Sequence, residues 1–67
     1  KKRHCMIDIE GRQFYEYQKQ EAVAFLEGLL MDLGRHAMVF IGDYGLLLDD
    51  HRQLQEILDN EPRFNRH

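Results

Sequence analysis

The 67 residues contain no serine and no threonine, and Cys5 is the sole cysteine. The first absence removes the usual oxygen nucleophiles, the hydroxyl that completes a phosphate-binding P-loop, and every Ser/Thr phosphorylation site. The second rules out an intramolecular disulfide and points to a reducing, intracellular and hence cytoplasmic setting. No stretch approaches the roughly 20 apolar residues that span a bilayer, so a membrane partner is not expected. The basic start Lys1-Lys2-Arg3 is followed by Cys5–Glu10, which is too short and too charged to serve as the apolar part of a signal peptide.

What is present fits one small α+β domain over 1–67. At this length only about 60% of the unfolded chain's surface is buried on folding, so every packed element counts. The formal charge of −3 hides a segregation, because five of the nine cations, Lys1, Lys2, Arg3, Arg63 and Arg66, lie in tails at 1–3 and 63–67. Between His4 and Pro62, Arg12, Lys19, Arg35 and Arg52 face all twelve acids, leaving a body of charge −8. Such a body repels phosphate backbones, so nucleic acid is an unlikely partner for the folded surface, although basic tails are compatible with a nucleic-acid-associated regulator. A chain that begins with Lys1 is also readable as a piece of a longer protein.

His4–Glu10 alternates, with Cys5, Ile7 and Ile9 on one face and Met6, Asp8 and Glu10 on the other, the period of a half-buried strand. Gly11 supplies a turn, and Gln13–Tyr17 forms the returning strand; its register decides whether Phe14 or Tyr15 and Tyr17 face inward. From about Lys19 to Leu33, Ala22, Val23, Phe25, Leu26, Leu29, Leu30 and Leu33 make one apolar arc of a helix, ended by Gly34. Ala37–Ile41 is an unbroken apolar run, expected as a central strand covered on both faces. Gly42–Gly45 is expected to reverse the chain over four residues, with Leu46–Leu48 pairing back. Asp50 and Gln53 form a capping box for a helix reaching about Asn60, with Leu54, Ile57 and Leu58 as its stripe and Pro62 beyond it. The order is ββαββα. Short uncrossed connections give an antiparallel sheet of order 2-1-3-4, the long helix on one face and the short helix expected on the other.

The chemistry-bearing residues do not assemble into a catalytic pattern. His4, Cys5, His36 and His51 lack the paired spacing of a zinc site, and adjacent strand residues point to opposite faces. No metal or other cofactor is expected. Asp49-Asp50-His51 sits where acids favour a helix start, a simpler role than acid–base catalysis. Val39-Phe40-Ile41-Gly42-Asp43-Tyr44 superficially resembles the Gly-Asp segment of calcineurin-like metallophosphoesterases, but the upstream Asp-x-His and downstream Gly-Asn-His are absent. Aromatics on a four-stranded sheet can stack RNA bases, yet Asp8, Glu10 and Glu16 carry the wrong sign for that work.

Surplus apolar surface is the remaining signal. Ala24, Gly28 and Met31 fall outside the helical arc, small residues one turn apart that permit close approach of another backbone. Met6, Phe14, Met38 and Phe40 on the sheet, where any part the helices leave uncovered would be a contiguous apolar patch, and Tyr44 at the hairpin tip, are further contact candidates. The expectation is a non-enzymatic protein-interaction or regulatory module whose partner is a protein, with self-association as a homodimer the first form to test.

Overall fold

The computed structural model describes residues 6–62. His4, Cys5 and the basic tails lie outside the described residues. Strands β1 (Met6–Ile9), β2 (Arg12–Tyr15), β3 (Ala37–Ile41) and β4 (Tyr44–Leu48) form one antiparallel sheet of order β2-β1-β3-β4. Helix α1 (Lys19–Leu33) lies between β2 and β3, and α2 (His51–Asn60) follows β4. The expected ββαββα α+β fold is therefore the observed one. β2 and β3 flank β1 and share a direction, so β2–α1–β3 is a crossover split by the first strand.

Two tight turns set the registers. Glu10 and Gly11 both have positive φ, 50° and 93°, the combination a two-residue type I′ hairpin requires. Ile9 then pairs with Arg12, and Ile7 with Phe14. β2 is thus Arg12–Tyr15, not Gln13–Tyr17, and the chain turns into a 3-10 turn at Glu16–Gln18. The second reversal is also shorter than expected. Gly42, at φ 65°, and Asp43 join Ile41 directly to Tyr44, so β4 starts at Tyr44.

α1 has no side-chain cap at Gln18; the Gln18 Oε1 instead accepts from the Tyr15 N–H at 2.9 Å and fixes the entry into the helix. Its end is Gly34 in the left-handed region, donating from N–H to the Leu30 carbonyl at 3.0 Å. The Asp50–Gln53 capping box opens α2: Asp50 Oδ1 accepts from the Arg52 N–H at 2.8 Å, and Gln53 Oε1 accepts from the Asp50 N–H at 3.2 Å. Arg52 also forks onto the same carboxylate, Nη2 to Oδ2 at 2.7 Å. That hydrogen bond, then the one from the Arg52 N–H, hold the Asp50 carboxyl well below the usual carboxylate range.

The core lies on one side of the sheet. Ile7, Ile9, Val39 and Ile41 pack with Ala22 and Leu26 of α1 and Leu54 and Leu58 of α2, all fully buried. Two expectations are corrected here. α2 does not cover the opposite face: it packs beside α1, because α1 spans β2, β1 and β3 while Leu48 of β4 still needs cover. β3 is internal in strand order but covered on one face only, alternating buried Ala37, Val39 and Ile41 with exposed Met38 and Phe40.

Candidate functional site: an open sheet face

With both helices on one side, no described element covers the other face of the sheet. Cross-strand pairing arranges it in rows: Tyr15 beside Met6, then Gln13–Asp8–Phe40–Gly45, then Met38 beside Leu47. Tyr15, Met38, Phe40 and Leu47 are 45%, 37%, 42% and 62% exposed, and Met6 is half-buried. Contiguous apolar surface of this kind, rimmed by polar groups, marks contact sites.

Phe40 is held in place by what Gly45 lacks. A methyl group at Gly45 would stand 2.8 Å from Phe40 Cε2, so the ring lies directly over the glycine backbone of the neighbouring strand. Tyr15 stacks on Tyr17 with centroids 5.6 Å apart and planes 11° off parallel, extending the aromatic surface past the end of β2.

The face is acidic where it is polar. Asp8 sits mid-sheet beside Phe40 and its Oδ1 accepts from the Gly11 N–H at 2.9 Å. Glu10 Oε2 accepts from the Met38 N–H at 2.7 Å and from Arg35 Nη1 at 3.3 Å, while Arg35 also donates to the His36 carbonyl at 2.7 Å. This brace joins the first turn to the start of β3. The Met38 N–H foremost, then Arg35, lower the Glu10 pKa from its ordinary 4.5. Arg12 is directed away to the helix side, its guanidinium 5.2 Å from the Phe14 ring centroid and 5.1 Å from that of Phe25.

The sequence candidates fall on separate surfaces. Phe40, Met6 and Met38 belong to the open face. Phe14 does not: the tight first turn places it opposite Ile7, so it is 3% exposed in the core, with its ring 5.5 Å from Phe25. Its place as an exposed contact is withdrawn. Tyr44 pairs with Ile41 and so lies on the helix side, at the edge of a cleft with Ile57 of α2. Ala24, Gly28 and Met31 line the exposed side of α1, with open space over Gly28. Leu47 is a surface contact that the sequence pattern did not single out, and Tyr15 and Tyr17, weighed there only as sheet aromatics, are exposed as well. Strict alternation counted outward from Gly42-Asp43 would have placed Leu47 beside Met38.

The titratable residues near α2 form surface ion pairs. Asp49 Oδ2 lies 3.6 Å from His36 Nε2, and His51 lies between Asp50, the helix cap, at 3.7 Å from Nδ1, and Glu27, at 3.9 Å from Nε2. Among the described residues no three His, Cys, Asp or Glu side chains converge as a metal cluster, and no helix is long and apolar enough to cross a membrane. The chain matches no protein-family model, no curated protein and no solved structure.

Proposed function

We propose that this chain is a non-enzymatic protein-interaction module, regulatory through the partner it holds, that docks another protein on the open face of its sheet. The observation that carries this reading is the exposed set Tyr15, Met38, Phe40 and Leu47, with half-buried Met6 beside them, on the face that no described helix covers. Covering such a face removes apolar area from water at about 25 cal/mol per Å² before the costs of association are subtracted.

The chemistry of the partner follows from charge. Met6, Asp8, Gln13, Tyr15, Met38, Phe40 and Leu47 include a carboxylate and no cation, on a body with four cations against twelve acids. A partner with apolar side chains interspersed with Lys or Arg complements it, whereas phosphate backbones and a second acidic body are repelled. That Cys5 is the sole cysteine supports a cytoplasmic setting.

The test is site-specific photo-cross-linking in the source cells. Benzoylphenylalanine replaces Phe40 in one variant and Met31, on the exposed side of α1, in another. The expected result is one discrete heterologous adduct from position 40 and none from position 31. An adduct only from position 31 transfers the function to the helix. An adduct between two copies from position 40 makes the face a homodimer interface.

A further inference from the structure

The two edges of the sheet are not equivalent. A two-residue turn makes its flanking residues a hydrogen-bonded pair, so Ile41–Tyr44, Val39–Leu46 and Ala37–Leu48 carry the β3–β4 ladder. The neighbouring ladder agrees: Gly42 N–H to Met6 carbonyl at 3.1 Å and Glu10 N–H to Met38 carbonyl at 3.0 Å commit the alternate residues of β3 to β1. The backbone N–H and C=O groups of Gly45 and Leu47 therefore point outward from β4, which pairs only with β3 among the described residues. The β2 edge is closed by comparison, since the outward Tyr15 N–H is taken by Gln18 Oε1 and the chain leaves the strand there.

Proteins usually blunt exposed edges with charge, proline or a bulge. β4, Tyr-Gly-Leu-Leu-Leu, has none of these. A cleft of about 530 Å³ runs beside it on the helix side, with Tyr44, Leu48 and Ile57 as apolar lining and Glu56 and Glu61 as its charged groups.

We propose that β4 receives an extended, basic segment of a partner protein, which adds to the sheet as a fifth strand through Gly45 and Leu47. Side chains alternate along such a segment. Those opposite Tyr44, Leu46 and Leu48 enter the cleft, where Glu56 selects Arg or Lys. Those opposite Gly45 and Leu47 lie on the open face beside Leu47 and Phe40 and are apolar. Backbone bonding supplies the affinity and the alternation supplies the specificity, as in strand addition generally. A second copy fits less well: antiparallel β4–β4 pairing of Gly45 with Leu47 would set two acidic α2 helices side by side. The proposal rests on the interaction reading only in taking the ligand to be a protein.

The probe is the peptide acetyl-Arg-Val-Arg-Val-Arg-Val-amide, read by amide hydrogen exchange in the ¹⁵N-labelled chain. At saturation the Gly45 and Leu47 amides are expected to exchange at least tenfold more slowly, and a Glu-Val peptide of the same length to have no such effect. Leu47→Pro removes one outward N–H without breaking the β3–β4 ladder and abolishes the protection at Gly45, while Leu47→Ala keeps it. N-methylating alternate peptide residues gives the same loss without altering the protein. Equal binding of the N-methylated peptide, or by Leu47→Pro, overturns the proposal. So does protection at both amides in the free protein, whether it disappears on removal of residues 63–67 or on dilution, because the chain's own tail or a second copy then holds the edge. Peptide protection without a cross-link from position 40 would sink the open-face reading and leave the edge standing; the reverse would do the opposite.

Discussion

Gly28 and Gly34 form a matched pair. Beyond the adjoining residues and the helix's own backbone, an added Cβ meets nothing within 4 Å at either position, so neither substitution creates a tertiary contact among the described residues. They differ in backbone conformation. Gly28 is inside α1, where glycine costs about 1 kcal/mol relative to alanine, whereas Gly34 has φ 65°, where a side chain costs about 1–2 kcal/mol. Gly28→Ala should therefore raise stability by about 1 kcal/mol and Gly34→Ala lower it by a similar or larger amount. For a domain of this size about 1 kcal/mol moves Tm by roughly 4–8 °C. Thermal unfolding followed by circular dichroism, at two protein concentrations a tenfold apart, measures both. A Tm for Gly28→Ala that stays level or falls would mean that another chain occupies the space above α1, and the exposed side of that helix would become the interface. Gly28→Leu reports the same point by mass: light scattering should find it unchanged from the parent.

The remaining expectations concern core and brace. Leu26→Ala should cost about 2–5 kcal/mol in urea unfolding, because Leu26 is fully buried, and Leu29→Ala clearly less, because Leu29 is half-buried; equal losses would mean α1 is rotated. Glu10 titrates below its ordinary 4.5 in the folded chain, so its contribution to stability is complete above that pH and is lost as pH falls through the lowered value. Urea midpoints of the parent and Glu10→Gln should accordingly begin to converge as pH falls below 4.5, and a gap that stays constant through the acid range would contradict the brace to Met38 and Arg35. Gly45→Val should displace the Phe40 ring and raise its exposure, measurable as a change in the Phe40 ring proton shifts; unchanged shifts would mean the ring does not rest on Gly45.

How legible the fold was depended on periodicity. α1 was readable residue by residue because its apolar positions recur at helical spacing and Gly34 ends the pattern, and its bounds, Lys19–Leu33, match. The sheet order followed from chain direction alone. The face assignments did not, because Ala37-Met38-Val39-Phe40-Ile41 is apolar throughout and hides which alternate set is inward. The Phe14 register turned on Glu10, a non-glycine residue at positive φ, which makes the hairpin loop two residues long; nothing in Glu10-Gly11 as letters required that. The position of α2 turned on α1 leaving β4 uncovered, a tertiary fact. Met6, Met38 and Phe40 were legible together as an apolar sheet patch, whereas the exclusion of Phe14 from it and the addition of Leu47 were not.

The most direct measurement is the affinity of the protein cross-linked at position 40 for three forms of this chain: the parent, Phe40→Ser and Met31→Ser. Calorimetric titration should find Phe40→Ser at least tenfold weaker and Met31→Ser equal to the parent, with all three folded by circular dichroism. Equal affinity for the parent and Phe40→Ser would contradict docking on the open sheet face.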